Sequence, residues 1–172
     1  GSLVNRRTAV SFGGSASDTN QLSSVTVSIN GGAPAAVTGT NSWNWTLPNT
    51  TDGTFALSFV ATDAAQKTTT VLRNVLIDTT APSLPVFTTT PGLYVTSSLA
   101  IAGTASDSGS GVQTAYYRVN GGDGDPATGT LTGTDNWFAT LDVGFLDEGD
   151  HKVYVWTVDQ AGNISSEEVQ NF

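Results

Sequence analysis

Short apolar–polar alternations recur along this chain, each closed by a turn signal. Val25, Val27 and Ile29 alternate with Thr26 and Ser28. Trp43, Trp45 and Leu47 alternate with Asn44 and Thr46, and Phe55, Leu57, Phe59 and Ala61 with Ala56, Ser58 and Val60. A period of two places one set of side chains toward a core and the other toward water, the pattern of a half-buried strand. Asn30-Gly31-Gly32 and Asn120-Gly121-Gly122 read as turns, because Asn and Gly tolerate positive φ. No stretch keeps helical periodicity beyond a turn or two.

The pattern occurs twice. Gly14-Ser15-Ala16-Ser17-Asp18 matches Gly103-Thr104-Ala105-Ser106-Asp107. Val27 to Gly32 matches Tyr117 to Gly122, and Asn41 to Leu47 matches Asp135 to Leu141. Asp52-Gly53 matches Glu148-Gly149, and Ala61 to Ala65 matches Thr157 to Ala161. The offset drifts from 89 to 96, as insertions collect in turns. Ordered self-similarity of this kind marks two copies of one unit. Between them, Ile77 to Pro85 carries Pro82 and Pro85, which hold the chain extended and predict a short, semi-stiff linker.

Strands in the second copy are predicted near Val86-Phe87, Leu99–Ala105, Thr114–Val119, Thr130-Leu131, Trp137–Leu141, Lys152–Val158 and after Asn163. Six or seven short strands in roughly 80–90 residues suit an antiparallel sandwich of immunoglobulin type. The predicted fold is all-β: two tandem immunoglobulin-like antiparallel β-sandwiches, residues 1–79 (N-terminally truncated) and 80–172. Trp43 and Trp137 would pack where antibody domains carry a disulfide.

Composition narrows the chemistry. The 172 residues include no Cys and a single His, which removes disulfides, thiolate metal sites, a Cys nucleophile and a His-rich zinc site. His151 lies in Glu148-Gly149-Asp150-His151-Lys152, a turn entering a strand, with no Gly-x-Ser-x-Gly elbow or phosphate loop elsewhere. A binding or structural piece is expected rather than an enzyme. The net charge of −9 falls entirely on the second copy. Residues 1–79 carry four Lys/Arg against four Asp, and residues 80–172 carry two against eleven acids. Nucleic acid is a poor partner for such a surface, and no apolar run is long enough for membrane insertion.

Gly-Thr-Ala-Ser-Asp, Asn-Gly-Gly, Asp-Gln-Ala-Gly-Asn-Ile-Ser and Asp-Thr-Thr-Ala-Pro together resemble the bacterial Ig-like (Big) repeats of large surface adhesins and secreted multidomain proteins. The resemblance covers nearly the whole chain. It implies a structural extender or adhesion module at an extracellular address, with neighbouring repeats of the same chain and a host or cell-surface glycan or protein as partners. The alternative is a carbohydrate- or partner-binding module, accessory to a secreted polysaccharide-degrading enzyme. In such arrays calcium bound by Asp at the joints stiffens the rod.

An up-and-down path through the second copy brings the loops of Asp107, Asp135 and Asp159 to one end, where the linker carrying Asp78 arrives. Ca²⁺ takes six to eight oxygens and gives a reason to crowd carboxylates. Asp78, Asp107 and Asp159 are the core of the expected calcium site, with Asp135 beside them. Asp18 and Asp63 are the counterparts in the first copy, where Ala64-Ala65-Gln66-Lys67 departs from Gln160-Ala161-Gly162-Asn163. Taken singly, each Asp is also an ordinary turn former. Asp123-Gly124-Asp125 lacks the later acidic positions of an EF-hand and reads as a solvated turn.

Parity also separates the copies. Tyr116, Arg118, Tyr154 and Trp156 fall on outward positions where the first copy has Thr26, Ser28, Ser58 and Val60. They are expected to share one outer sheet face, either as a ligand surface or as cross-strand pairs, with Arg118 over Trp156.

Overall fold

The computed structural model describes residues 3–6, 10–48, 51–89, 95–120 and 128–172. Among the described residues there are strands and no helix, in two compact units, Gly1–Thr79 and Thr80–Phe172. The turn at Asp123-Gly124-Asp125 lies outside the described residues.

Unit 1 comprises β1 (Leu3–Arg6), β2 (Ser11–Ser15), β3 (Leu22–Ile29), β4 (Ala35–Ala36), β5 (Thr38–Gly39), β6 (Ser42–Thr46), β7 (Gly53–Asp63) and β8 (Thr68–Ile77). One sheet runs β1-β8-β7-β3-β4 and the other β2-β6-β5. All pairings are antiparallel except β1 with β8, which is parallel. This parallel edge is a departure from the all-antiparallel expectation. Of the inward residues foreseen from the alternation, Val25, Val27, Leu47, Phe55, Leu57 and Phe59 are buried, and Val75 and Ile77 of β8, which the alternation did not single out, join them. Trp43 stacks on Phe59, with ring centroids 5.0 Å apart and planes at 27°.

Unit 2 comprises β9 (Val86–Phe87), β10 (Ser98–Thr104), β11 (Val112–Val119), β12 (Thr128–Thr130), β13 (Asn136–Asp142), β14 (Lys152–Asp159) and β15 (Glu168–Asn171). Its sheets are β13-β10-β9 and β12-β11-β14-β15. Trp137, 1% exposed, sits in the core with Leu99, Ile101, Ala115, Val153 and Val155. The strand expected at Thr130-Leu131 is placed differently from an immunoglobulin constant-type order, which would set it beside β13. It pairs with β11 instead, and among the described residues Thr132 alone bridges across to Phe138. Pro82 and Pro85 are buried and Ser83 N donates to Ser106 O at 2.8 Å, so this stretch is strapped to unit 2 and is not a free linker.

The repeat extends to backbone detail. Asn30 and Asn120 take positive φ, 50° and 62°. Each donates its amide at 2.7 Å to a facing carbonyl, Ala56 or Lys152. Each then accepts that residue's amide at its own Oδ1. Both β3 and β11 carry a register shift near their first residue, between Leu22 and Ser24 and between Val112 and Thr114.

Candidate metal centre

Asp159 ends β14 and begins a tight turn. Its amide donates to Asn163 O (3.1 Å), and Gly162 N donates back to Asp159 O (3.2 Å). Gly162 takes φ 92° to close that turn, a conformation that costs glycine little. The fully buried carboxylate accepts from Asn163 twice, Oδ1 from its amide at 2.8 Å and Oδ2 from its Nδ2 at 2.7 Å. Sequence reading did not single out Asn163. An amide side chain four residues after a buried Asp was the available signal.

Asp107 lies in the loop between β10 and β11. Its Oδ2 accepts from Gly109 N (3.1 Å) and Gly111 N (2.7 Å), an Asx-type turn. Its Oδ1 is enclosed and has no hydrogen-bond partner. This loop and the one after β14 are zipped together: Gln160 N donates to Gly111 O (3.0 Å) and Ala161 N to Ser110 Oγ (3.1 Å). The zipper brings a carboxylate oxygen of Asp107 within 4.8 Å of one of Asp159. Two like charges this close repel, and an enclosed, unpaired carboxylate oxygen is costly. A hard divalent cation bound by oxygens relieves both, so the donor set fits the ion the resemblance implies.

Asp78 directly follows β8 in unit 1 and is 1% exposed. The next residue is anchored: Thr79 N and Oγ1 donate to Asp52 Oδ1 at 2.9 and 2.7 Å. Asp135 is exposed, and only its carbonyl is engaged there, accepting from Ala105 N at 3.0 Å. Asp18 is exposed and caps Asn20 N (2.7 Å). Asp63 is buried and caps Lys67 N (2.8 Å). Gln66, at φ 64°, takes the place of Gly162, so the turn survives the sequence change. A lysine, Lys67, nonetheless stands where the second copy has Asn163.

The aromatic set does share one face. The register places Tyr116 opposite Trp156 and Arg118 opposite Tyr154. The first pair stacks at 5.6 Å and 12°. The Arg118 guanidinium lies 4.5 Å from the Tyr154 centroid and pairs with Glu167 at 2.6 Å. Arg118 therefore covers Tyr154 rather than Trp156, as direct opposition on neighbouring strands dictates. These residues turn their faces to one another, the cross-strand form of the arrangement. His151 is likewise structural: Nε2 lies 2.7 Å from Asp147 O, Nδ1 meets the Asn120 side chain, and the ring packs on Phe172.

No protein-family model matches the chain, and no curated protein matches it. Among solved structures it is similar to the fibronectin(III)-like modules of Clostridium thermocellum CbhA, with a TM-score of 0.60 and 18% identity over 99% of this chain and 87% of that one. It is similar to a domain segment of titin (TM-score 0.66, 12% identity, 98% of this chain and 60% of that one). It is also similar to the FN1–FN3 domains of chicken CNTN1 (0.54, 10%, 100% and 64%). The chain thus spans less than two thirds of the titin and CNTN1 chains. At these identities the likeness is one of fold, and that fold is the tandem sandwich of fibronectin-III and immunoglobulin-like modules.

Proposed function

We propose that this chain is a structural extender of a bacterial cell-surface or secreted protein, with its two sandwiches joined through calcium held by Asp78, Asp107 and Asp159. The observation that carries the reading is the enclosed, unpartnered Oδ1 of Asp107 beside the buried Asp159. In this reading the length of the chain lets Asp78 join them. Ser83, five residues on, is fixed to Ser106, the neighbour of Asp107, and five extended residues span up to about 17 Å. A carboxylate at the last position of one sandwich and two at the receiving end of the next would make calcium a clamp on the connection.

Calcium would supply charge neutralisation and a shared oxygen shell. Asn163 would orient Asp159, and the turn from Asp107 to Gly111 would orient Asp107. Asp135 stays outside this reading. Asp18 and Asp63 are the counterparts of Asp107 and Asp159 in unit 1 and would offer a weaker acidic pair, with Lys67 in place of Asn163. The partners in this reading are neighbouring repeats of the same protein, and a surface glycan or protein is engaged elsewhere along it.

Small-angle scattering of the whole chain in millimolar calcium and in chelator tests the reading. Calcium is expected to narrow the distribution of interdomain distances in the parent and to leave an Asp78→Ala, Asp107→Ala variant unchanged. Identical profiles for the parent in both conditions would refute it.

A further inference from the structure

The two units differ on the outer face of one sheet. In β13-β10-β9 of unit 2 the register sets Ala102 opposite Phe138, Ala100 opposite Thr140, and Thr104 between Asn136 and Val86. The alternate residues Leu99, Ile101, Trp137 and Leu141 are buried, so the first set points outward. Phe138 and Val86 are each left 57% exposed, and Leu84, two residues before Val86, 47%. In unit 1 the equivalent pairs are Gly13 with Asn44, Ser11 with Thr46 and Ser15 with Ser42. A face of serine, threonine, asparagine and glycine in one copy is apolar in the other, where an exposed ring stands beside a floor of alanines.

Charge avoids this face. Residues 80–172 hold eleven acids and two bases, yet among the described residues only Asp142 has a register position on it, at its end opposite Ser98. The outer face of the other sheet carries Arg118 and Lys152 instead, with Arg118 paired to Glu167. Aromatic enrichment with charge depletion marks the centre of a protein interface. The face is also small. Three strands about 4.8 Å apart, with seven residues at about 3.4 Å each, give a footprint of roughly 300 Å². Two such footprints fall well below the roughly 1,200–2,000 Å² of a stable complex.

We propose that the outer face of β13-β10-β9 packs against the same face of a second copy of this chain, each Phe138 seated on the Ala100 and Ala102 floor of the other. Under a two-fold axis one protruding ring and one small-residue floor per copy complete the contact. Two sheets meeting face to face is also the packing inside each sandwich. A partner read by charge would need the opposite pattern. The small area makes the contact weak, with a Kd of about 0.1–1 mM, so it joins chains already held close together. The acidic remainder of each unit 2 repels its counterpart, so salt strengthens the contact by screening that repulsion.

Sedimentation equilibrium of the full chain tests this, together with amide shifts followed as the chain is concentrated from about 0.02 to 2 mM. Both are run in chelator, which separates the result from calcium binding at Asp107. The dimer fraction is expected to rise with concentration, with shifts confined to β9, β10 and β13. The Kd should tighten at least ~3-fold between about 50 and 500 mM salt. Phe138→Asn installs the residue that unit 1 carries at the same place, and Ala100→Glu lies at an exposed position. Each should weaken association at least ~10-fold. Concentration-independent shifts in the parent would overturn the proposal. So would equal association of the parent and both variants, or association that weakens as salt is raised.

Discussion

Adding one methyl group at Gly103 or at Gly14 should have very different costs, although the two glycines are repeat equivalents. At Gly103 the methyl has nowhere to go: the Trp137 ring is on one side and the Val86 carbonyl on the other. Trp137 is enclosed, so β9 must retreat. That loosens the pairing of Val86 and Phe87 and the bond from Thr88 N to Ala102 O, about 1 kcal/mol net for each of two or so hydrogen bonds. It also parts Phe87 from Trp137, a pair worth about 0.5–1.5 kcal/mol. Gly103→Ala should therefore cost unit 2 about 3 kcal/mol, or ~12 °C and more for a domain of this size. At Gly14 the nearest atom is in the Trp43 ring, 2.7 Å from the added carbon, and that ring borders a surface groove of unit 1 into which it can swing. The alanine gains about 0.5–1 kcal/mol in backbone entropy over glycine, so Gly14→Ala should stay within about 1 kcal/mol of the parent. Urea titration followed by NMR resonances assigned to each unit measures both losses separately. Equal losses at the two sites would contradict the difference in surroundings on which the prediction rests.

Two further outcomes follow from packing. Trp137→Ala should destabilise unit 2 by about 3–5 kcal/mol, read from the same titration, and Trp43→Ala should cost unit 1 less because its ring borders the groove. Trp156→Ala removes the stack with Tyr116 and should cost about 0.5–1.5 kcal/mol, with the fold intact by circular dichroism. Full retention of stability there would mean that the stacked pair adds nothing to the sheet.

Strand positions and inward faces were legible because alternation is strict where one face is buried: Val27, Leu57, Phe59, Val153 and Val155 are core residues in both readings. The shared face of Tyr116, Arg118, Tyr154 and Trp156 was legible for the same reason. Parity gives the face, and only the register gives opposition, which is why Arg118 was paired with the wrong ring. The sheet joined by Thr128–Thr130 was not legible, since a three-residue strand carries no pattern that favours β11 over β13. The different surroundings of Gly14 and Gly103 were not legible, because the two sit in near-identical local sequence and β9 packs on one of them. Asp107 and Asp159 could be brought to one end of unit 2 by topology alone. The Asn163 clamp and the unpartnered Asp107 oxygen needed coordinates, because they depend on how two loops zip together.

Calcium titration of the whole chain, by calorimetry and thermal melting, addresses the central claim most directly. The informative variant is Asp107→Asn, which keeps an oxygen for the amides of Gly109 and Gly111 while removing the charge. In chelator it should melt at or above the parent temperature, because the repulsion with Asp159 is gone. In calcium at a hundredfold excess over Kd, the parent should gain about 2.7 kcal/mol, or ~10 °C and more, with measurable binding heat. Asp107→Asn should gain little of either. Equal heats and equal melting shifts in the two proteins would contradict a calcium site built on Asp107.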